Sequence, residues 1–294
     1  MRLRSFAEGD GELLAVETAV GLVAASDLVP GGPRSLAELI GRGPDGQAAL
    51  READHAAASV LHTSDLVELP SVPAPPNIIA IGRNYAEHAA EEDAGKPRAP
   101  EIFLKHTSAL AANQQEIVWD PEYTTSVDWE AELGVVIGRT ARNVAVEEAL
   151  DFVFGYTAFN DVSARDLQFG DLQWARGKSL ESFGPCGPAL VTADEIPDPQ
   201  NLAIRLLLNE TIMQESSTRR MYFSVAEIIS WCSRAFTLKP GDLIVTGTPG
   251  GVGAFREPPV WMADGDTVAV EIDVVGRLEN TCRTSESRLA SVAM

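Results

Sequence analysis

Apolar runs of strand length recur along this chain, at 77–81, 102–105, 129–137, 153–160, 189–192, 202–208, 243–246 and 267–274, and regular helical stretches do not separate them. A doubly wound parallel sheet needs a crossover of a dozen or more residues, usually a helix, between successive strands. That alternation is missing, so the pattern predicts an α+β, β-rich fold. Pro240-Gly241-Asp242 and Asp264-Gly265-Asp266 are turn sequences set just before two of the runs. Ser224-Val225-Ala226-Glu227 reads as a capping box opening a helix that runs to about Arg234.

Leu69-Pro70-Ser71-Val72-Pro73-Ala74-Pro75-Pro76 has too few backbone donors to extend a sheet and reads as a linker. It divides a small N-terminal α+β domain, 1–70, from a main domain at 77–284. In the first, residues 2–7 and 13–17 flank Gly9-Asp10-Gly11 as a hairpin would, and a third strand is expected after Gly21. Ser35-Leu36-Ala37-Glu38 is another capping box, and the Ala-rich stretch 47–61 suits a second helix. His55 and His62 fall here as exposed helix-face residues with no catalytic cluster around them.

With 23 basic against 43 acidic residues, the formal charge is −20, which argues against nucleic acid or an anionic membrane surface as partner. Such a field also repels an anionic substrate, unless a metal or clustered Arg and Lys dominates within a Debye length of about 8 to 10 Å. No stretch reaches the roughly 18 to 20 apolar residues of a membrane span, and residues 1–12 lack the apolar segment of a secretory leader, so a soluble cytoplasmic protein is expected. Cys186, Cys232 and Cys282 have no C-x-x-C spacing and read as reduced thiols.

The most informative segment is Val127-Asp128-Trp129-Glu130-Ala131-Glu132-Leu133-Gly134. Residues two apart in a strand share a face, so Glu130 and Glu132 project side by side from apolar surroundings. Two close carboxylates repel unless a proton or cation lies between them, and oxygen-only ligands favour Mg²⁺, Mn²⁺ or Ca²⁺ over zinc. The alternative is a solvated Glu-x-Glu on an edge strand. A third carboxylate, Asp161, ends the apolar run 153–160, a frequent place for site residues, with helix capping as its bland alternative.

These segments, taken with several others in order, resemble the fumarylacetoacetate hydrolase family. The matching pieces are Gly82-Arg83-Asn84-Tyr85 with His88, Phe103-Leu104-Lys105, Glu130-Ala131-Glu132-Leu133-Gly134, Asn160-Asp161 with Ala164-Arg165-Asp166, Gly177-Lys178-Ser179 and Thr246-Gly247-Thr248-Pro249. The resemblance implies a mixed β-sandwich roll that forms a homodimer, with a small N-terminal domain like that of many bacterial members. It implies Mg²⁺ or Mn²⁺ on Glu130, Glu132 and Asp161, and a 2-oxo acid held by Arg83, Lys178 and Thr248. Lys178 would stabilise a forming enolate, and Arg83 is suited to a carboxylate. His88 and Glu91, three apart on a helical segment, would activate water as general base and its orienting partner; Glu92 offers the same carboxylate one residue on. The glycine-rich segment 246–253 lacks Gly-Lys-Ser/Thr and is no phosphate loop.

Two departures bear on substrate identity. His106 stands where the family commonly has proline, read here as a loop residue, and Leu180-Glu181 follows Ser179 where Phe-Asp is usual. The reaction ranked first is hydrolytic C–C cleavage of a 2,4-dioxo acid of the acylpyruvate or fumarylpyruvate type through a metal-held enolate. Second stands an oxaloacetate-type decarboxylase or a 2-hydroxy-diene-dioate isomerase. From another class comes a non-catalytic protein that binds metal and oxo acid.

Overall fold

The computed structural model describes residues 1–285 apart from 56, 57, 92 and 94. Its strands form two main sheets. The larger, eleven-stranded one carries along its main path Gly21–Ala24, Gly11–Thr18, Arg2–Glu8, Gly184–Thr192, Val153–Asn160, Ala131–Ile137, Leu243–Val245, Ile78–Gly82 and Glu101–Lys105. The smaller has five: Thr211–Ser217, Ala203–Leu208, Thr267–Ile272, Gly276–Thr284 and Ile117–Trp119. Mixed, β-rich and α+β, this is the class the apolar runs predict.

Period-two alternation builds two cores on the faces of the large sheet. Ile79, Ile81, Leu133, Val135 and Ile244 point to one, which the five-stranded sheet and helix Val225–Ala235 complete. Ile78, Ala80, Val136, Leu243 and Val245 point to the other, shared with Leu36, Leu39, Ile40 and Leu50 of the N-terminal helices. Because both faces are covered, Ala131–Ile137 is buried along its whole length. It is also central, paired with Val153–Asn160 on one side and Leu243–Val245 on the other. The solvated edge-strand reading of Glu-x-Glu is thereby excluded.

The N-terminal hairpin joins the same sheet through Arg2↔Val191 and Leu3↔Leu190. Its second helix is shorter than expected: it spans Gly43–Glu52, with Pro44 in its first turn, and Ala53 turns to extended backbone. Residues 56 and 57 of the expected 47–61 helix lie outside the described residues. Ser224 forms the capping box with Glu227, and the helix behind it turns its apolar side to the first core. Ser224→Ala is expected to cost about 1 kcal/mol, read as a lower denaturant midpoint at unchanged slope.

All three cysteines are free and buried. Burial pushes their thiols up, to about 11 for Cys186 and about 12 for Cys232 and Cys282. A thiol reagent at neutral pH should therefore label none of them in the native protein and all three after denaturation; fast labelling of native protein would contradict this packing.

Candidate active site

Antiparallel pairing brings the three carboxylates together. Ala131 lies opposite Asn160 and Glu132 opposite Phe159. One step further the pairing continues as the Asp161 amide donating to the Glu130 carbonyl at 2.9 Å, while the Asn160 side chain accepts from the Glu130 amide at 3.0 Å. Glu130, Glu132 and Asp161 are all buried, with ligand oxygens within 4.8 Å of one another.

Three buried cations meet this cluster. Lys178 Nζ donates to Glu130 Oε2 at 2.7 Å and to Asp161 Oδ2 at 2.9 Å. Lys105 Nζ donates to Asp161 Oδ1 at 2.7 Å and also reaches the Lys178 carbonyl. Arg165 pairs with Glu130 Oε1 at 2.7 Å and with Asp128 Oδ2 at 2.8 Å. Burial pushes Glu130 up, but Lys178 and Arg165 outweigh it and hold its carboxyl at about 2. For Lys178, burial works against the charge, yet Asp161 and Glu130 raise it on balance, whereas burial wins at Lys105 and lowers it.

Glu132 is the exception. Among the described residues no ion pair reaches it; its partner is the Gly247 amide, at 2.7 Å from Oε2. That approach depends on glycine. Gly247 sits at φ +92°, and a Cβ there would lie 2.8 Å from Asn84 Cβ. Burial, with Asp161 and Glu130 adding to it, pushes the Glu132 carboxyl well above the ordinary range. A hard divalent cation fits this donor set: three clustered carboxylate oxygens, no soft ligand, and one carboxylate still lacking a positive partner.

The other expected residues fall around this cluster. His88 is buried on helix Ala86–Glu91 and lines the same small pocket as Glu130, Glu132, Lys178, Arg83 and Thr248. Its Nδ1 lies 3.3 Å from Glu91 Oε2, and Glu91 Oε1 accepts from the Gly251 amide at 2.6 Å. Glu92 lies outside the described residues. Thr248 is buried and fixed: Gln214 Nε2 donates to its hydroxyl at 2.9 Å and to the Pro249 carbonyl at 2.7 Å. Arg83, at φ +48°, makes a two-pronged pair with Glu101, both bonds at 2.8 Å, so a substrate carboxylate would have to compete with Glu101 for it. His106 is exposed, and its ring caps the short turn after it through Ser108.

Sequence reasoning passed over Lys105, Arg165, Asp128 and Gln214 as site residues. Lys105 and Arg165 lie in segments that carry the family resemblance, Phe103-Leu104-Lys105 and Ala164-Arg165-Asp166, and Asp128 stands two residues before Glu130, whereas Gln214 left no signal.

Residues 77–283 match the family described as fumarylacetoacetate (FAA) hydrolase C-terminal. The Bos taurus protein named oxaloacetate tautomerase FAHD2A, mitochondrial, is 40% identical over 262 residues, 88% of this chain and 83% of that protein. Among solved structures, 5-carboxymethyl-2-hydroxymuconate delta-isomerase from Mycobacterium smegmatis is 32% identical with a TM-score of 0.75, covering 98% of this chain and all of that one. Maleylpyruvate hydrolase from Sphingobium is 31% identical with a TM-score of 0.79, covering 97% of this chain and all of that one. No described helix is long and apolar enough to cross a membrane. The bovine relative is named as mitochondrial, so it lends no support to the cytoplasmic expectation. Two relatives are named for isomer interconversion and one for hydrolysis, which favours the reaction class ranked second from sequence over the hydrolase ranked first. On the match across the main domain and the identity along most of its length, the chain belongs to the fumarylacetoacetate hydrolase family.

Proposed function

We propose that this chain is a divalent-metal-dependent enzyme that moves a proton on a 2-oxo acid, interconverting its enol and keto forms or shifting a conjugated double bond. The observation that carries the reading is His88: a buried imidazole braced by Glu91, in one pocket with Glu130, Glu132 and Lys178. The names of the bovine tautomerase and the mycobacterial isomerase support the same class.

Glu130, Glu132 and Asp161 would hold Mg²⁺ or Mn²⁺, which when bound supplies Lewis-acid stabilisation to a developing oxyanion. Glu91, anchored on the Gly251 amide, fixes the orientation of the His88 ring, which takes a proton from carbon and gives it back. Gln214 donates to the Thr248 hydroxyl, which leaves that hydroxyl's own proton to be given to a substrate oxygen. Lys178 adds a fixed positive charge in a buried setting, where it costs no reorganisation during the reaction. Together these cations answer the repulsion that the −20 chain exerts on an anionic substrate.

Hydrolysis of a 2,4-dioxo acid is the second reading, since the same His88 and Glu91 pair could activate water, and the maleylpyruvate hydrolase is a structural relative. The deciding experiment follows enol decay of oxaloacetate and of a 2-hydroxydienedioate, with metal-stripped protein before and after Mg²⁺ or Mn²⁺. In parallel, CO₂ from oxaloacetate and pyruvate from acetylpyruvate are assayed. Metal-dependent enol–keto interconversion, reduced about 10²- to 10⁴-fold by His88→Asn, is expected. Pyruvate from acetylpyruvate with no gain in tautomerisation would replace this reading with the hydrolase, and CO₂ release alone with the decarboxylase.

A further inference from the structure

The pocket at the carboxylates has a volume of about 20 Å³, room for little more than one water. The head of a 2-oxo acid is larger, so a bound substrate must reach through the pocket wall. Phe103, Trp174 and Arg83 form that wall, and the same three line a cavity of about 740 Å³ on its outer side. Phe103 and Trp174 meet edge to face, with ring centroids 5.3 Å apart. Trp174 lies so close to the backbone of Gly82 that a Cβ there would come within 2.8 Å of its ring.

The outer cavity has a definite chemical character. Ile102, Phe103, Leu104, Leu172 and Trp174 supply the apolar part of its lining, beside Arg83, Glu101 and Gln173. Leu104 is 55% exposed and Leu172 fully exposed, and such apolar surface at the mouth of a site marks a ligand-binding groove. Among the described residues Arg83 is the single basic residue lining it, and Glu101, in the same wall, pairs with Arg83 through two hydrogen bonds. Among the described residues, a second substrate carboxylate would meet no uncompensated cation there.

We infer that this cavity seats the distal end of the substrate and takes an alkyl or aryl group, so that 2-oxo acids with one carboxylate and an apolar tail are preferred over dicarboxylates. The inference rests on the oxo-acid reading of the site but is tested by binding, not turnover. Calorimetry on the Mg²⁺-loaded protein would compare 2-oxo-4-phenylbutanoate, 2-oxobutanoate and 2-oxoglutarate. The phenyl compound is expected to bind about ten- to a hundredfold more tightly than either of the others. Leu104→Arg and Leu172→Arg, both at exposed positions, should reverse the order of the phenyl compound and 2-oxoglutarate. Equal affinity for the phenyl and ethyl compounds, tighter binding of 2-oxoglutarate by the unmutated protein, or no binding of any of the three would overturn the assignment. Absence of enol–keto turnover with the expected binding order intact would instead count against the proton-transfer reading alone.

Discussion

Glutamine at position 132 is expected to make the metal-free protein more stable at neutral pH while removing its response to divalent cations. Glu132 is buried beside Glu130 and Asp161 and has the Gly247 amide as partner, a hydrogen bond that a glutamine oxygen can still accept. Its carboxyl is raised above the ordinary value of 4.5, chiefly by burial. The stability this group contributes is therefore fully present below 4.5 and is lost as pH rises through the raised folded value. Glutamine cannot lose that proton, so Glu132→Gln should flatten the fall and, at pH 7, gain on the order of 1–3 kcal/mol, the cost of leaving a buried group uncompensated. The variant would leave a divalent cation two of the three carboxylates that would hold it, so the thermal shift expected from Mn²⁺ should vanish. Thermal unfolding in EDTA and in Mn²⁺ from pH 5 to pH 8 measures both effects. Lower stability of the variant in EDTA throughout would mean that Glu132 is held by its surroundings rather than strained by them.

What the sequence discloses of this fold follows from how local each signal is. Val153–Asn160 agrees with its apolar run from end to end, and the Ser224 capping box is readable because its partners sit three residues apart. The first half of Gly184–Thr192 escapes notice because Gly184-Pro185-Cys186-Gly187-Pro188 has no strand propensity; it is strand by virtue of its neighbours. Thr211–Ser217 escapes for the opposite reason, as a polar edge strand with little to bury. At the site, Glu130 and Glu132 are legible from period two, but their meeting with Asp161 depends on register between strands. Arg83 shows the limit most clearly. Its type suggests a carboxylate ligand, yet the carboxylate it holds is Glu101, delivered by the pairing of Gly82 with Glu101 across two strands.

Replacing Lys178 with methionine should separate metal affinity from catalysis. In the metal-free protein, four carboxylates, Asp128, Glu130, Glu132 and Asp161, face three cations, Lys105, Arg165 and Lys178. Removing one partner of a buried ion pair costs about 3–5 kcal/mol. The low end, about 3 kcal/mol, is expected here because Arg165 stays on Glu130 and Lys105 on Asp161. Yet the Lys178 ammonium holds Glu130 Oε2 and Asp161 Oδ2, oxygens of two of the three carboxylates that would hold a divalent cation. Its loss removes a competitor, so Mn²⁺ should bind the variant more tightly and recover most of the lost stability. Turnover should nonetheless fall about 10²- to 10³-fold, the usual effect of deleting one preorganised charge at a developing oxyanion. Calorimetric Mn²⁺ titration beside rate measurements at saturating metal reads the two separately. A fall in metal affinity matching the fall in rate would make Lys178 a support for the carboxylate cluster rather than a group that acts on the substrate.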